Sequence, residues 1–399
     1  MSRGFLPYGR QLIEEDDIAA VAAVLRSDWL TSGPAVERFE RALAGSVGAS
    51  HAVVCNSGTA ALYLAARAWE FEPGDTVIVP SLTFAATASA QVLAGLDVVL
   101  ADVDADSGLM TAGHAEDALG RAKGRRVRAI TPVHLTGQMA DPAAIADFAR
   151  KHGLVVVEDA CHALGTTYGG DKFRVGGCAH SAAACFSFHP VKTIAMGEGG
   201  AVTTNDKAKA DAMRRLRSHG ITRAPGDFTN PDVALASDGT PHAWYYELGE
   251  ISHNLRASDI NCALGDSQLR KLPRFAAARR RLAERYRSGL TALGPKVKPV
   301  PRQPGVDAAW HLFCVLVDFE SVGVDRDELI KRLHAGGIGS QVHYIPLHLQ
   351  PFYRKRSGGI RLPGAEAYYR RVLSLPLFVE MTDSDVDRVI ATLAKAIGA

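Results

Sequence analysis

The sequence is poor in the features that mark secreted, membrane-embedded or disulfide-stabilised proteins. It has six cysteines in 399 residues, well below the density of a disulfide framework. No apolar run reaches the length of a membrane-spanning helix, and the opening MSRGFLPYGRQLIEEDDIAA lacks the apolar core of a signal peptide. We therefore expect a reduced, cytoplasmic protein without a membrane partner.

An excess of charge of one sign is also missing. The formal net charge is +2 with histidine neutral, so no overall field would attract nucleic acid or an anionic membrane. The basic run Arg279–Arg280–Arg281 is expected on a solvated helix face. Nucleic-acid binding is therefore not expected.

Common nucleotide-binding loops and zinc spacings are absent as well. Neither GxGxxG nor GxxxxGK[ST] occurs in the chain, which argues against NAD or ATP as a cofactor. Cys161, His162, Cys178 and His180 could be considered as zinc ligands, but their spacing matches no usual zinc pattern. We expect no metal site.

What the sequence does contain is an alternation of short apolar strands and helical segments. The runs HAVVC, DTVIVP, DVVLA, RAIT and LVVVED lack polar alternation, which indicates strands buried on both faces and a mostly parallel sheet covered by helices. At 47% hydrophobic residues the chain can bury such a core. We expect an α/β domain over residues 1–255.

The pattern changes after residue 255. A long charged helix, LGDSQLRKLPRFAAARRRLAERYRSGLTAL, is expected to be kinked or interrupted at Pro273. The later segments HLFCVLVDF, DELIKRLHAGG and SDVDRVIATLAKAIG are typical of one strand and two helices. Residues 256–399 are therefore predicted to form a smaller α+β domain that begins with the linking helix.

In two segments of the first domain, a predicted strand ends in polar residues. Ser57–Gly58–Thr59 lies between a strand and a helix, where backbone N–H groups could bind a phosphate, or Ser57 could simply cap the helix. Glu158 and Asp159 end a buried strand, where a carboxylate needs a partner. A pyridinium nitrogen is one such partner, and the alternative is an N-cap for a following helix.

Three further residues complete a chemical set. Phe84 follows the strand IVPS and could stack on a planar cofactor or belong to the core. Ser187 could reach a phosphate, and Lys192 lies between a β-prone run and a loop with three glycines. Pyridoxal phosphate (PLP) needs a lysine for its Schiff base, an acid at its ring nitrogen and a phosphate anchor. The joint order of these segments therefore favours PLP.

The amino-acid sequence of these segments resembles that of the DegT/DnrJ/EryC1/StrS family of sugar aminotransferases. The resemblance runs from PYGRQ to the C-terminal helix, and its most specific parts are LTSGPAVERFE, NSGTAAL, VHLTGQMAD, VEDACHALG, FSFHPVKTIAMGEGGAVTTND and HNLRASDINCALG. It implies fold type I of PLP-dependent transferases, the aspartate-aminotransferase-like α/β fold. That fold has a mostly parallel seven-stranded sheet flanked by helices.

The resemblance also implies a set of cofactor contacts. Lys192 would form the Schiff base and act as general acid and base, and Asp159 would pair with the ring nitrogen. His162 occupies a position where many members carry a glutamine that contacts the 3-oxygen of the cofactor. The remaining contacts would be Ser57, Gly58, Thr59 and Ser187 at the phosphate and Phe84 on the ring.

Partners follow from the same resemblance. Asn254, in HNLR, matches the asparagine that reaches the phosphate of the neighbouring subunit, which implies a homodimer with composite sites. Glutamate would load the cofactor as pyridoxamine phosphate, and a nucleotide-linked keto-sugar would then collect the amine in a ping-pong cycle.

Three stretches suggest the substrate. SFHPVK, WYYELGEISHNLR and QVHYIPLHLQPFYR are most similar to the UDP-4-amino-4,6-dideoxy-N-acetyl-β-L-altrosamine transaminases of the pseudaminic acid pathway. Those enzymes aminate C4 of a UDP-linked 2-acetamido-2,6-dideoxy-4-hexulose. Substrate contacts are expected from Thr31, Tyr246, His343, Tyr344 and His348, the alternative for the last three being a packed turn around Pro346.

Other functions compete on the same scaffold. A GDP- or dTDP-linked keto-sugar could replace the UDP-linked one, and a PLP-binding regulator or sensor would keep the cofactor without amino transfer. In the related sugar dehydratases a histidine replaces the Schiff-base lysine, so Lys192 argues against dehydration.

Overall fold

A computed structural model describes residues 4–398 of the chain. The strands, in chain order, are β1 (His51–Cys55), β2 (Thr76–Pro80), β3 (Asp97–Ala101), β4 (Val127–Ile130), β5 (Val155–Asp159), β6 (Thr167–Tyr168), β7 (Phe173–Arg174), β8 (Ala183–Ser187), β9 (Gly200–Thr204), β10 (Ile221–Thr222), β11 (Glu247–Leu248), β12 (Val297–Pro299), β13 (Val306–Asp307), β14 (Phe313–Val317) and β15 (Val372–Leu375).

The helices alternate with these strands in the first half of the chain and dominate the second. They are α1 (Glu15–Leu25), α2 (Pro34–Val47), α3 (Gly58–Ala68), α4 (Ala86–Leu93), α5 (Ala112–Arg121), α6 (Pro142–His152), α7 (Lys207–Arg217), α8 (Pro231–Ala234), α9 (Asp259–Arg270), α10 (Leu272–Leu290), α11 (Phe319–Val322), α12 (Arg326–Ala335), α13 (Pro351–Arg356), α14 (Pro363–Arg371) and α15 (Asp383–Ala396).

Within residues 4–398 the central sheet has seven strands in the order β1-β9-β8-β5-β4-β2-β3. Only β9 is antiparallel to its neighbours, and the other adjacent pairs are parallel. The predicted α/β class and the mostly parallel seven-stranded sheet are thereby confirmed. The carboxyl ends of β1, β2, β4, β5 and β8 consequently meet at one edge, where ligands of such sheets bind.

The sequence of the strands explains this sheet. Every residue of β2 is buried, as are the last four of β1 and of β5. Helices pack on both faces, so these Val- and Ile-rich runs need no polar alternation. At the β1 edge, Gly200 begins β9 where an added Cβ would lie 2.2 Å from the Ser57 carbonyl oxygen, so only glycine allows this close approach.

The C-terminal third of the chain forms a smaller α+β unit. As predicted, the long charged helix is interrupted beside Pro273: α9 ends at Arg270 and α10 begins at Leu272. Strands β12, β14 and β15 form an antiparallel sheet that shares one hydrophobic core with α10, α12 and α15. Leu6 also pairs with Ile338 of this unit, and the domain boundary at residue 255 stays a prediction.

Among the described residues, no helix is both long enough and apolar enough to cross a bilayer.

Candidate active site

A cavity of about 450 Å³ lies at the carboxyl edge of the sheet, and we call it the central cavity. Its walls come from the loops after β1, β2, β4, β5 and β8 and from the C-terminal unit. Of the predicted cofactor contacts, all but Asn254 line it: Ser57, Gly58, Thr59, Phe84, Asp159, His162, Ser187 and Lys192. The fold therefore brings together residues as distant in the chain as Ser57 and Lys192.

One end of the central cavity is suited to an anion. The Ser57 hydroxyl accepts a hydrogen bond from the Ala60 amide at 3.1 Å, so Ser57 is the N-cap of α3 and also lines the cavity. A Cβ on Gly58 would lie 2.7 Å from Cβ of Ser187, so glycine is required there. The helix dipole and the remaining free amides at this end favour a phosphate.

Asp159 lies on the wall with its carboxylate fixed. Its Oδ2 accepts a hydrogen bond from the Thr87 hydroxyl at 2.6 Å, and its Oδ1 accepts one from the Cys161 amide at 3.1 Å. The alternative of an N-cap is wrong, because turns and not a helix follow β5. The side chain forms no ion pair with another described residue, so it suits the pyridinium nitrogen of PLP.

Glu158, the neighbouring carboxylate, has a different role. Successive side chains of a strand point to opposite faces, and Glu158 lies 3.2 Å from His134 Nε2 in a buried pair. It does not line the central cavity. Of the two adjacent acids, only Asp159 is therefore placed to contact a cofactor.

Lys192 lies on the loop between β8 and β9 and lines the central cavity. Its amide donates to the His189 carbonyl at 2.8 Å, which fixes the turn that carries the side chain. Loss of solvation lowers the pKa of the Lys192 amine below its ordinary value, while Cys161 and Asp159 act in the opposite direction. A lowered pKa increases the neutral fraction, which is the form that attacks a carbonyl and accepts protons.

A histidine pair and a tyrosine close the cavity near Asp159. The Tyr344 hydroxyl lies 3.1 Å from His162 Nε2, and the rings of His162 and His311 are 4.4 Å apart. Burial lowers the pKa of His162 well below its ordinary value and raises that of Tyr344 well above its own. A neutral imidazole and a protonated hydroxyl therefore share this hydrogen bond, and its direction depends on the tautomer of His162.

Phe84 and two predicted substrate contacts also lie at the central cavity. The Phe84 ring is 59% exposed and lies 6.0 Å from that of Tyr344, so the alternative that it belongs to the core is wrong. His343 lines the same wall, with Nδ1 2.7 Å from the Ser374 hydroxyl. His343 and Tyr344 therefore stay candidates for contact with cofactor or sugar.

The other predicted contacts lie elsewhere in the single chain. Thr31 pairs with Ser258, and Asn254 pairs with Ser218, both outside the cavity wall. Tyr246 is 51% exposed. For these residues a role at the site requires a neighbouring subunit.

His348 is placed as a packing residue, which fits the alternative of a packed turn around Pro346. It is 1% exposed and does not line the central cavity. Its Nδ1 lies 2.7 Å from the Ser81 hydroxyl, and the Leu347 amide donates to the Ser81 carbonyl at 2.7 Å. This contact, which we call the Ser81–His348 clamp, joins the loop that carries Phe84 to the loop that carries Tyr344.

The clamp gives a first prediction. Ser81→Ala removes the hydroxyl but keeps the backbone bond to Leu347, so the protein is expected to fold with a free energy of unfolding lower by about 1–3 kcal/mol. Urea denaturation followed by circular dichroism measures the loss. Ser288→Ala, at an exposed serine of α10, is the control and should change little. Equal losses in the two variants would contradict the clamp.

Residues that escaped the sequence analysis include Tyr8 and His311, which line the cavity, and Thr87, which contacts Asp159 without lining it. Thr87 orients Asp159, His311 packs on His162, and Tyr8 comes from the N-terminal segment. The only sequence signal was a polar residue shortly before a buried strand, as His311 is two residues before β14. Their roles depend on contacts distant in sequence.

The buried histidines predict acid sensitivity of the cofactor-free protein. Burial, assisted by the charge of Lys192, lowers the pKa of His343 to about 4. Below about pH 6.5 the unfolded chain binds a proton that the folded chain does not. The free energy of unfolding therefore falls as the pH is lowered from about 6.5 to about 4. Lowering the pH from about 7 to about 5 should reduce the free energy of unfolding by roughly 2 kcal/mol through His343 alone.

Chemical denaturation at the two pH values tests this. His343→Gln keeps an acceptor for Ser374 and removes the titrating ring, so its pH dependence should be shallower by that amount. An unchanged pH dependence would show that His343 does not titrate as its burial requires.

The zinc alternative is not supported by the geometry. Cys178 Sγ lies 3.4 Å from the Thr203 carbonyl, and His180 Nδ1 lies 3.1 Å from the Tyr168 hydroxyl, away from the central cavity. Among residues 4–398, the only cluster of possible metal ligands is Glu14, Asp16 and Asp17. The ammonium group of Lys271 already lies within 2.5–3.2 Å of all three carboxylates.

Comparison of the whole chain with known proteins identifies a protein family. Residues 11–394 match the model of the DegT/DnrJ/EryC1/StrS aminotransferase family. The spore coat polysaccharide biosynthesis protein SpsC of Bacillus subtilis is 40% identical over 389 residues, which cover 97% of this chain and 95% of SpsC.

Solved structures agree with that match. PseC of Helicobacter pylori, an aminotransferase involved in the biosynthesis of pseudoaminic acid, superimposes with a TM-score of 0.88 at 29% identity over 99% of both chains. The putative sugar aminotransferase Spr1654 of Streptococcus pneumoniae, in its PLP form, gives 0.84 at 29% identity over 99% of both chains. The chain therefore belongs to the DegT/DnrJ/EryC1/StrS aminotransferase family and is a sugar aminotransferase with PLP as its cofactor.

Proposed function

We propose that this sugar aminotransferase transfers an amino group from glutamate to C4 of UDP-2-acetamido-2,6-dideoxy-β-L-arabino-hex-4-ulose. The observation that carries the proposal is the meeting of Lys192 and Asp159 across one cavity that also holds an anion-binding helix end. The choice of sugar is supported by the resemblance of QVHYIPLHLQPFYR and neighbouring stretches and by the structural likeness to PseC.

The residues present fit PLP group by group. The N-terminus of α3, with Ser57, Thr59 and Ser187, would hold the phosphate, and Phe84 would lie against the ring. Asp159, held by Thr87 and the Cys161 amide, would pair with the ring nitrogen. Bound in this way, PLP supplies an electron sink that stabilises negative charge on the carbon that loses a proton.

Lys192 would move the protons. Its amine would hold the cofactor covalently at rest and, once displaced by the donor, would take the proton from the α-carbon of glutamate. In the second half-reaction it would deliver a proton to the sugar carbon that receives the amine. The lowered pKa of this amine suits both tasks, because proton transfer works best when the pKa lies near the operating pH.

A homodimer with composite sites belongs to the same proposal. Large apolar side chains near residues 29–30 and 244–251 are exposed in the single chain: Trp29, Leu30, Trp244, Tyr246, Leu248 and Ile251. Asn254 adjoins this surface and would reach the phosphate bound by the neighbouring subunit. Tyr246 would approach the sugar from the same side.

Absorbance through a half-reaction series tests the proposal. Glutamate should bleach the visible band of the purified protein. After its removal, UDP-, GDP- and dTDP-linked 4-keto-6-deoxy sugars are offered separately, the UDP-linked one bearing the 2-acetamido group. The band should return fastest with the UDP-linked sugar. Faster return with another nucleotide would reject the substrate, and no bleaching by glutamate would reject the donor.

A further inference from the structure

A second cavity lies at the outer edge of the central sheet, and we call it the edge cavity. Its volume is about 490 Å³, and edge strand β3, the end of α5 and the short helix α13 form its walls. It shares no lining residue with the central cavity. A cavity of this size can hold a small organic ligand.

The wall of the edge cavity is basic. Arg121, Arg125 and Arg356 line it, against one acidic lining residue, Asp97. In the part of the chain that the structure describes, none of these three guanidinium groups pairs with a carboxylate. Arginines close to them in sequence do form such pairs: Arg126 with Glu72, Arg361 with Glu366 and Arg371 with Asp106.

Two of the three guanidinium groups are already held in place. Arg121 Nη2 donates to the Leu100 carbonyl at 2.7 Å, and the Arg356 guanidinium lies 3.8 Å from the centre of the Phe352 ring. Groups that are fixed before binding lose less entropy when a ligand arrives. Guanidinium groups bind phosphate oxygens through paired hydrogen bonds, so the wall is suited to a phosphorylated ligand.

The rest of the wall is suited to a flat or apolar group. Tyr353 and Ile360 line the cavity beside Val98 of the edge strand. The Ser357 hydroxyl, in the same wall, is buried without a hydrogen-bond partner among the described residues. Buried hydroxyls are usually hydrogen-bonded, so this one is available to a ligand or a water molecule.

We propose that the edge cavity binds a nucleoside diphosphate. Its phosphates lie on Arg121, Arg125 and Arg356, and its base lies against Tyr353 and Ile360. The site is separate from the one that performs amino transfer, and this proposal does not depend on which sugar the enzyme aminates.

Hydrogen–deuterium exchange of the holoenzyme, with UDP as the probe, tests this site by its position. UDP should protect peptides that cover residues 97–101, 121–125 and 353–360. In Arg125→Gln/Arg356→Gln, the concentration of UDP needed for that protection should rise roughly tenfold or more. The kcat and KM for amino transfer should stay unchanged, because neither arginine lines the central cavity.

Arg354→Gln/Lys355→Gln is the matched control. It removes the same two positive charges, here both from helix α13, at side chains that do not line the edge cavity, so protection by UDP should persist. Protection confined to peptides of the central cavity, or equal protection in wild type and Arg125→Gln/Arg356→Gln, would overturn the site. Equal protection by inorganic pyrophosphate at the same concentration would overturn the nucleoside part of the assignment.

Discussion

Lys192→Ala is expected to lose amino transfer altogether. The variant lacks both the covalent attachment point and the group that moves protons, and general acid–base catalysis alone contributes about 10²–10⁴-fold to a rate. The phosphate end, Asp159 and Phe84 remain, so the protein should still bind pyridoxamine phosphate. Stopped-flow absorbance of the glutamate half-reaction measures the loss.

Lys123→Ala provides the control for this variant. Lys123 is exposed and lines neither the central cavity nor the edge cavity, so its removal should leave the half-reaction unchanged. Wild-type turnover by Lys192→Ala would refute the assignment of Lys192. Failure to bind pyridoxamine phosphate would instead contradict the anion-binding role of the α3 end.

Asp159→Asn should give the second largest effect. Asparagine keeps an acceptor for the Cys161 amide and a hydrogen-bonding group for Thr87, so the site should keep its shape. The negative charge beside the ring nitrogen is lost, and removal of one preorganised electrostatic group costs about 10²–10³-fold in kcat. Rates of both half-reactions measure this, with the affinity for PLP recorded alongside.

The chain supplies a matched control in the adjacent residue. Glu158→Gln alters an equally buried carboxylate on the same strand, but this side chain contacts His134 and not the central cavity. It should lower stability while leaving kcat of the folded enzyme within a small factor of wild type. A larger loss of kcat in Glu158→Gln than in Asp159→Asn would reverse the assignment of the two acids.

The sequence predicted most of the fold because local patterns determine it. Unbroken Val and Ile runs such as β2 favour strands inside a covered parallel sheet, and Pro273 fits only the first turn of a helix, so a helical run is interrupted before it. Asp159 and Lys192 were predicted to share a site from the order of their segments and from the family resemblance. The parallel sheet brings strand ends together, and both residues line one cavity.

The rest of the site depends on contacts between distant segments. Thr87 orients Asp159 from a helix 72 positions earlier, and His311 reaches His162 from the C-terminal unit. His348 was expected at the sugar, but the turn after Pro346 directs its ring into the protein, against Ser81. Hydrophobic periodicity does not determine where the side chains of such a turn point, so neither the Ser81–His348 clamp nor the pair of His162 and His311 could be predicted.

The assignment of Lys192 to the cofactor is the claim on which the mechanism depends. Borohydride reduction of the yellow holoenzyme makes the bond between PLP and its lysine permanent, and peptide mapping by mass spectrometry then locates it. The label is expected on Lys192 and should be absent after prior bleaching with glutamate. A label on another lysine, or a label that glutamate does not remove, would contradict the account.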